Sequence, residues 1–300
     1  MSTALLLLPD FLLILFGFLL CRCTRLDRPV WESVERLVYH LLFPVLLFNA
    51  IVRSPLQPLQ TLNLTLAGLG TVLCGVALSY ALKHCPGVDL RRHASGAQTA
   101  FRFNSFIALA VADRLGGPTG LAFMAVLIAV CVPVCNVAAV LPLARHGGHS
   151  FGREIARNPL IVSTLAGLLA NLAGLQLPDA LATVLQRIGL AALPLGLMAV
   201  GAGLQLGGLK ASPCLAAGFL TLRHVVLPLA GLGFSLALAL PPGQAHTVVL
   251  FAALPTASSA YVLAARMGGD APFVAGLVTV STLLGMFGIP FWLAWTPAPF

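Results

Sequence analysis

The segment Arg114-Leu115-Gly116-Gly117 recurs 152 residues later as Arg266-Met267-Gly268-Gly269. Single residues repeat at almost the same spacing, 150 residues apart: Pro9 with Pro159, Gly17 with Gly167, and Pro44 with Pro194. The register therefore holds along most of the chain, with a slip of two residues. Two related halves in one membrane chain are typical of a transporter built around a central site.

The composition indicates a membrane protein. Apolar residues make up 59% of the chain and charged residues only 9%, against roughly 25% charged residues in soluble domains, and the mean hydropathy is +0.97. Ten apolar stretches are predicted to cross the bilayer, at 3–20, 34–53, 62–82, 94–112, 118–143, 159–176, 182–206, 215–240, 245–265 and 271–294. These stretches take up almost the whole chain, so no separate soluble domain is expected.

The net charge of +8 is distributed as in a multi-pass protein of the cell membrane. Most basic residues collect in alternate loops, the first of which holds Arg22, Arg25, Arg28 and Arg36. Positive charge favours the cytoplasmic side, which predicts that both termini lie outside the cytoplasm. Arginines scattered without interleaved aromatic residues argue against nucleic-acid binding.

The number of predicted spans defines the kind of repeat. Five spans in each half is an odd number, so residues 158–300 enter the membrane in the opposite orientation to residues 1–144, and 145–157 form a cytoplasmic connecting loop. We therefore predict an all-α integral membrane fold of two inverted five-helix repeats. Two nearly equivalent states, each open to one side, are the physical basis of alternating access.

Polar residues at mid-span are the candidate substrate-binding residues. They lie in the fourth and ninth spans: Arg102, Asn104, Ser105, Pro255, Thr256, Ser258 and Ser259. Asn104 and Thr256 are repeat mates, and Pro255 lacks a backbone donor, so it breaks its helix. In a bilayer such a break survives only where protein, water or a ligand satisfies the freed groups. The pattern favours two broken helices meeting at a site, although such residues also join helices by hydrogen bonds.

Pro44 and Pro194 form a second matched pair, near the middle of the second and seventh spans. We interpret them as kinks that shape a scaffold or its hinge. Direct contact with a substrate is the alternative.

Several segments in order resemble the auxin efflux carrier family and its bacterial members. They are Leu42–Phe48, Asn158–Ile161, Leu193–Gly201, Ala253–Ala257 and Tyr261–Ala264. The resemblance implies ten helices in two inverted repeats, as in bile-acid symporters and sodium/proton antiporters. It also implies a scaffold domain from the first, second, sixth and seventh helices, with broken, crossing fourth and ninth helices in a transport domain.

The resemblance implies an organic anion as substrate, and Asn104 matches the family's crossover asparagine. The sequence departs from the family around this residue, where relatives often carry a glycine-rich run, so auxin itself is not expected. An arginine at mid-bilayer costs about 2.5–3.5 kcal/mol on insertion scales, and a carboxylate can accept a bidentate pair from it. Arg102 therefore predicts a small carboxylate. Arg223 is a weaker candidate that could instead sit at the cytoplasmic interface.

The function expected is secondary transport, by efflux or exchange, and not catalysis. All nine acidic residues lie in or near loops, and no His or Cys spacing suggests a metal site, so no metal or cofactor is predicted. Sodium or proton coupling stays open, as does a homodimer formed through the scaffold helices. A sensor or channel scaffold is the alternative function, and a membrane-embedded enzyme is the least favoured because no paired acids or activated nucleophile lie within the spans.

Overall fold

The computed structural model describes residues 3–53, 58–143, 159–204, 209, 212–257 and 259–296. The predicted connecting loop 145–157 and Ser258 lie outside the described residues. The α-helices α1–α7 of the first half are Thr3–Cys23, Arg28–Leu37, Phe43–Arg53, Pro58–Ala81, Leu90–Gly96, Gln98–Phe101 and Ser105–Leu143. Those of the second half, α8–α14, are Pro159–Leu172, Asp179–Ala202, Pro213–Thr221, Leu227–Ala237, Pro242–Ala253, Ser259–Arg266 and Ala271–Leu293.

The chain is an all-helical membrane protein. Five of the described helical segments are long and apolar enough to cross a bilayer: Thr61–His84, Ser105–Pro142, Asp179–Ala202, Pro213–Ala237 and Ala271–Leu293. Within the described ranges, Phe11–Cys23 and Val162–Leu172 are shorter apolar helices. Each of the ten predicted stretches contains helix, and two of them are interrupted near their middle.

The recurring Arg-x-Gly-Gly segments form the turns that their glycines suggest. Gly117 has φ +52° and interrupts α7, while Gly268 has φ +68° just after α13. Because positive φ strains any residue with a Cβ, glycine is the favoured residue at both positions. The two turns differ by one residue in register, since the second glycine of the first segment and the first glycine of the second take this conformation.

Two π-helical turns break the regularity of the longer helices. Val38–Leu42 joins α2 to α3, and Leu222–Val226 joins α10 to α11. Each turn ends two residues before a proline, Pro44 or Pro228. A proline has no N–H and its ring collides with the carbonyl four residues earlier, so a wider turn placed before it relieves that conflict.

The helices pack in two groups. In the first, α1 runs along α9, and α3 packs against both α8 and α9. In the second, α4 packs on α7 and α11, α11 on α12, and α13 on α14. The groups meet where α3 and α9 contact α7, and this boundary positions the candidate site.

Candidate functional site

Two broken helices cross at one point, as the sequence predicts. The first break separates α6 from α7 at residues 102–104, and the second follows the end of α12 at Ala253 and includes residues 254–257. Phe103 and Thr256 pair as an isolated antiparallel bridge. The Asn104 amide donates to the Pro255 carbonyl at 2.9 Å, and the Ala257 amide donates to the Arg102 carbonyl at 3.3 Å. Each unwound segment therefore satisfies backbone groups of the other, which a bilayer demands.

The repeat mates Asn104 and Thr256 both hold ends of the broken helices. Asn104 Oδ1 accepts hydrogen bonds from the amides of Phe106 and Ile107, at 3.0 and 3.2 Å, and so caps the start of α7. Thr256 Oγ1 donates to the Thr99 carbonyl at 2.6 Å, near the end of α6. Both side chains are buried.

Arg102 lies at the crossover and is half-buried. Its Nη1 donates to Gln98 Oε1 at 2.8 Å, and its Nη2 donates to Ser259 Oγ at 3.0 Å. Gln98 is itself buried, and its Nε2 donates to the carbonyls of Ser95 and Ala260. These two contacts, with neutral oxygens, orient the guanidinium between the two broken helices.

Two neighbouring cavities lie at the boundary between the helix groups. The larger, of about 310 Å³, is lined by Arg28, Glu32, Glu35, Tyr39, Phe103, Asn104, Ser105, Phe106, Val200, Gly203, Ala257, Ser259, Tyr261, Ala275 and Val278. The smaller, of about 210 Å³, is lined by Tyr39, Arg102, Phe103, Ser105, Val132, Cys135, Asn136, Ala257 and Ser259. Both cavities touch the unwound segments.

The two cavities face the positive ends of two helices. The first turn of α7 contributes Ser105 and Phe106 to the lining, and the first turn of α13 contributes Ser259 and Tyr261. A helix N-terminus carries a partial positive charge, which favours an anion. Arg102 adds a positively charged side chain to the lining of the smaller cavity.

The predicted site residues divide into those that line the cavities and those that support the crossover. Arg102, Asn104, Ser105 and Ser259 line at least one cavity. Among the described residues, the lining of these two cavities does not include Pro255 or Thr256. The Pro255 ring instead faces Gly285, where a Cβ would lie 3.2 Å from it.

The matched prolines lie in the first helix group. Pro44 follows the π-helical turn at the start of α3, and Pro194 lies inside α9, which continues through it. Neither is a lining residue of the two cavities within the described part of the chain. Their expected role in shaping the scaffold stays a prediction.

The sequence reasoning missed one wall of the larger cavity. Arg28, Glu32, Glu35 and Tyr39 line it from α2 and the following π-helical turn. Arg28 forms ion pairs with Glu35 at 3.0 Å and Glu32 at 3.6 Å. Their spacing of four, three and four residues puts them on one helical face, and this pattern was the signal that could have found them.

Arg223 does not lie at the cytoplasmic interface, which was one of the two positions that the sequence allowed for it. It is 2% exposed and reaches the crossover, where its guanidinium donates to backbone carbonyls of both broken helices. The π-helical turn before Pro228 sets its position on the eighth predicted span.

Long apolar helices, unwound segments that cross, and cavities at the crossing define a multi-pass membrane transporter. Residues 143–293 match the profile of the family described as "Membrane transport protein", and the chain belongs to this family, which is the auxin efflux carrier family. It is a family of transporters and not of enzymes. The resemblance noted from the sequence is thus confirmed.

Two relatives align over nearly the whole chain. A protein of Rhizobium meliloti (strain 1021) named "Putative malonate transporter" is 28% identical over 303 residues, which cover 94% of this chain and 92% of that protein. A protein of Methanothermobacter thermautotrophicus named "Uncharacterized transporter" is 27% identical over 287 residues, which cover 93% of this chain and 94% of that protein.

Proposed function

We propose that the chain is a secondary transporter that moves a small organic anion, a carboxylate, by alternating access. The observation that carries this proposal is the convergence of Arg102 with the N-terminal ends of α7 and α13 on the smaller cavity. A carboxylate placed there would accept hydrogen bonds from the guanidinium and lie near the positive ends of two helix dipoles. The name of the Rhizobium relative supports a dicarboxylate such as malonate as the first anion to test.

The proposed architecture is a pair of inverted repeats, 1–144 and 158–300, with ten spans and both termini outside the cytoplasm. The helix breaks support it, since they fall at residues that correspond at the 152-residue offset, Phe103 with Pro255 and Asn104 with Thr256. In this arrangement the first helix group is the scaffold and the second group moves against it. The cavities at their boundary are where a moving domain would carry its substrate.

The contacts between loops support the proposed topology. Arg91 donates to the Gly268 carbonyl at 3.1 and 2.8 Å, and Arg92 pairs with Asp270 at 2.8 Å. Arg91, Arg92 and the second Arg-x-Gly-Gly turn all belong to loops that the charge distribution assigns to the cytoplasm. The larger cavity also reaches Glu32, whose side chain is 56% exposed and lies at the same predicted side. In the proposed cycle, a cavity that opens on this side belongs to the inward-facing state.

A thermal-shift screen of the purified protein tests the proposed substrate class. Small monocarboxylates and dicarboxylates should raise the unfolding midpoint, because a ligand that binds only the folded protein stabilises it. Neutral and cationic analogues of the same size should not. The screen is run with and without sodium, and at two pH values, so that coupling ions are detected in the same experiment. A shift given by a neutral analogue and by no carboxylate would contradict the proposal.

A further inference from the structure

The helices that precede the two breaks, α6 and α12, meet at the crossover with their C-terminal ends. These ends carry the negative charge of the helix dipoles. α6 ends at Phe101 and α12 ends at Ala253. The last four carbonyls of a helix have no partner within it, and they carry a partial negative charge of about half a unit. Two such ends brought together in a membrane interior need a positive group between them.

Arg223 supplies that group from α10–α11. Its Nε donates to the Leu254 carbonyl at 2.5 Å, its Nη2 donates to the Phe251 carbonyl at 3.4 Å, and its Nη1 donates to the Ala100 carbonyl at 3.5 Å. One guanidinium thus spans both broken helices and uses all three of its nitrogens on their carbonyls. Planar, weakly hydrated guanidinium is better suited than ammonium to such a buried position.

The other terminal carbonyls of α6 also have protein donors. The Gln98 carbonyl accepts from the Arg102 amide at 2.9 Å, and the Thr99 carbonyl accepts from Thr256 Oγ1 at 2.6 Å. The Phe101 carbonyl accepts from Cys135 Sγ at 3.5 Å. With Arg223 on the fourth, at Ala100, every carbonyl of this helix end is engaged.

We infer that Arg223 is a resident cation of the crossover, which fixes the C-terminal ends of both broken helices in the place where other carriers coordinate a sodium ion with unwound backbone carbonyls. Arg223 is a positioning residue, since it contacts the helix ends and is not among the lining residues of the two described cavities. A metal cation there would have to displace the guanidinium and three hydrogen bonds. The crossover of this chain therefore needs no sodium to hold its shape.

The experiment measures the thermal unfolding midpoint of the purified, full-length protein and of its Arg223→Ala and Arg223→Lys variants. Each is compared in sodium chloride, choline chloride and methylguanidinium chloride at equal ionic strength. The wild-type midpoint should be equal in sodium and choline. Arg223→Ala should unfold at a lower midpoint, and methylguanidinium, which fits the vacated space, should recover part of the loss. Arg223→Lys should be intermediate, because a single ammonium cannot reach three carbonyls.

Arg187→Ala is the matched control. Arg187 is an exposed arginine of α9, so its removal should leave the midpoint unchanged and insensitive to methylguanidinium. Two results would overturn the inference: a saturable rise of the wild-type midpoint with sodium over choline, or an Arg223→Ala midpoint equal to that of the wild type. If Arg223→Ala does not accumulate, the inference is still tested by the wild-type midpoint in sodium against choline and by the midpoint of Arg223→Lys.

This inference deepens the proposed function but is tested separately from it. The measurements use salts and no substrate, so they hold or fail whatever anion the protein carries. Failure of every carboxylate in the thermal-shift screen would leave the role of Arg223 standing, and a sodium effect on the wild type would leave the carboxylate proposal standing.

Discussion

Asn104 combines two roles that substitution can separate. Its Oδ1 caps α7 through the amides of Phe106 and Ile107, and the residue lines the larger cavity. Loss of this cap on substitution by alanine costs about 0.5–2 kcal/mol of stability.

We predict that Asn104→Ala lowers the unfolding midpoint and abolishes the shift given by a carboxylate ligand. Asn104→Ser keeps an oxygen acceptor for the α7 amides but loses the amide donor. It should recover the midpoint of the wild type and still bind the carboxylate more weakly. Both quantities come from one thermal-shift titration. Full recovery of ligand binding in Asn104→Ser would show that Asn104 acts as a cap alone.

For single residues, the sequence predicted the location of the candidate site. It did not predict the contacts that each side chain makes there. Arg102 and Asn104 were found because they are polar residues in an apolar span. The contact of Thr256 with the Thr99 carbonyl, and the reach of Arg223 into the crossover, depend on how two distant helices pack. No pattern within one span carries that information.

Among the elements, α1 and α9 pack in direct backbone contact. A Cβ on Gly201 would overlap the carbonyl of Ile14, and a Cβ on Gly17 would overlap the backbone of Met198. Both glycines lie within helices, so their role is close approach and not an unusual φ. Small residues at such contacts are typical of helix pairs in membranes.

We predict that Gly201→Ala destabilises the protein because α1 and α9 must separate to admit the methyl group. Helix propensity alone would favour alanine by about 1 kcal/mol, so the sign of the change distinguishes the two effects. Gly233→Ala in α11 is the control, since a Cβ there meets nothing within 4 Å. The unfolding midpoint of Gly233→Ala should equal or exceed that of the wild type. Equal midpoints for Gly201→Ala and the wild type in thermal unfolding would contradict close packing of α1 on α9.

The two helix breaks differ in how visible they are in the sequence. Pro255 marks the second break directly. The first has no proline, and its prediction depends on Asn104 being the repeat mate of Thr256 beside Pro255, and on the family resemblance. The π-helical turns before Pro44 and Pro228 were not predicted, because a proline in a span is also compatible with a helix that continues through it, as α9 does at Pro194.

For the whole molecule, the inverted topology makes a prediction about accessibility. The two Arg-x-Gly-Gly turns should lie on opposite sides of the membrane, because five spans precede the second half. In a background without native cysteines, Leu115→Cys should react with an impermeant thiol reagent from outside, and Met267→Cys only from the cytoplasmic side. Labelling of both positions from the same side would contradict the inverted repeat.

The membrane class and the family were predictable from composition and from short ordered segments, because both are distributed along the whole chain. The cavity wall from α2 was not. The charge pattern assigns Arg28 to a loop and all acidic residues to positions in or near loops. The packing of α2 beside α9 instead brings Arg28, Glu32 and Glu35 to the wall of the larger cavity. Their role depends on the contact of two helix groups, which composition does not describe.

Counterflow in proteoliposomes tests the central claim most directly, since only a carrier exchanges labelled for unlabelled substrate. Vesicles loaded with unlabelled malonate should accumulate external labelled malonate through the wild-type protein. Arg102→Lys should retain part of this exchange, because it keeps the charge but loses the bidentate geometry, and Arg102→Gln should lose most of it. Arg187→Gln, an exposed control, should exchange at the rate of the wild type. Selective exchange of a neutral or cationic solute that is unaffected by Arg102→Gln would contradict the account.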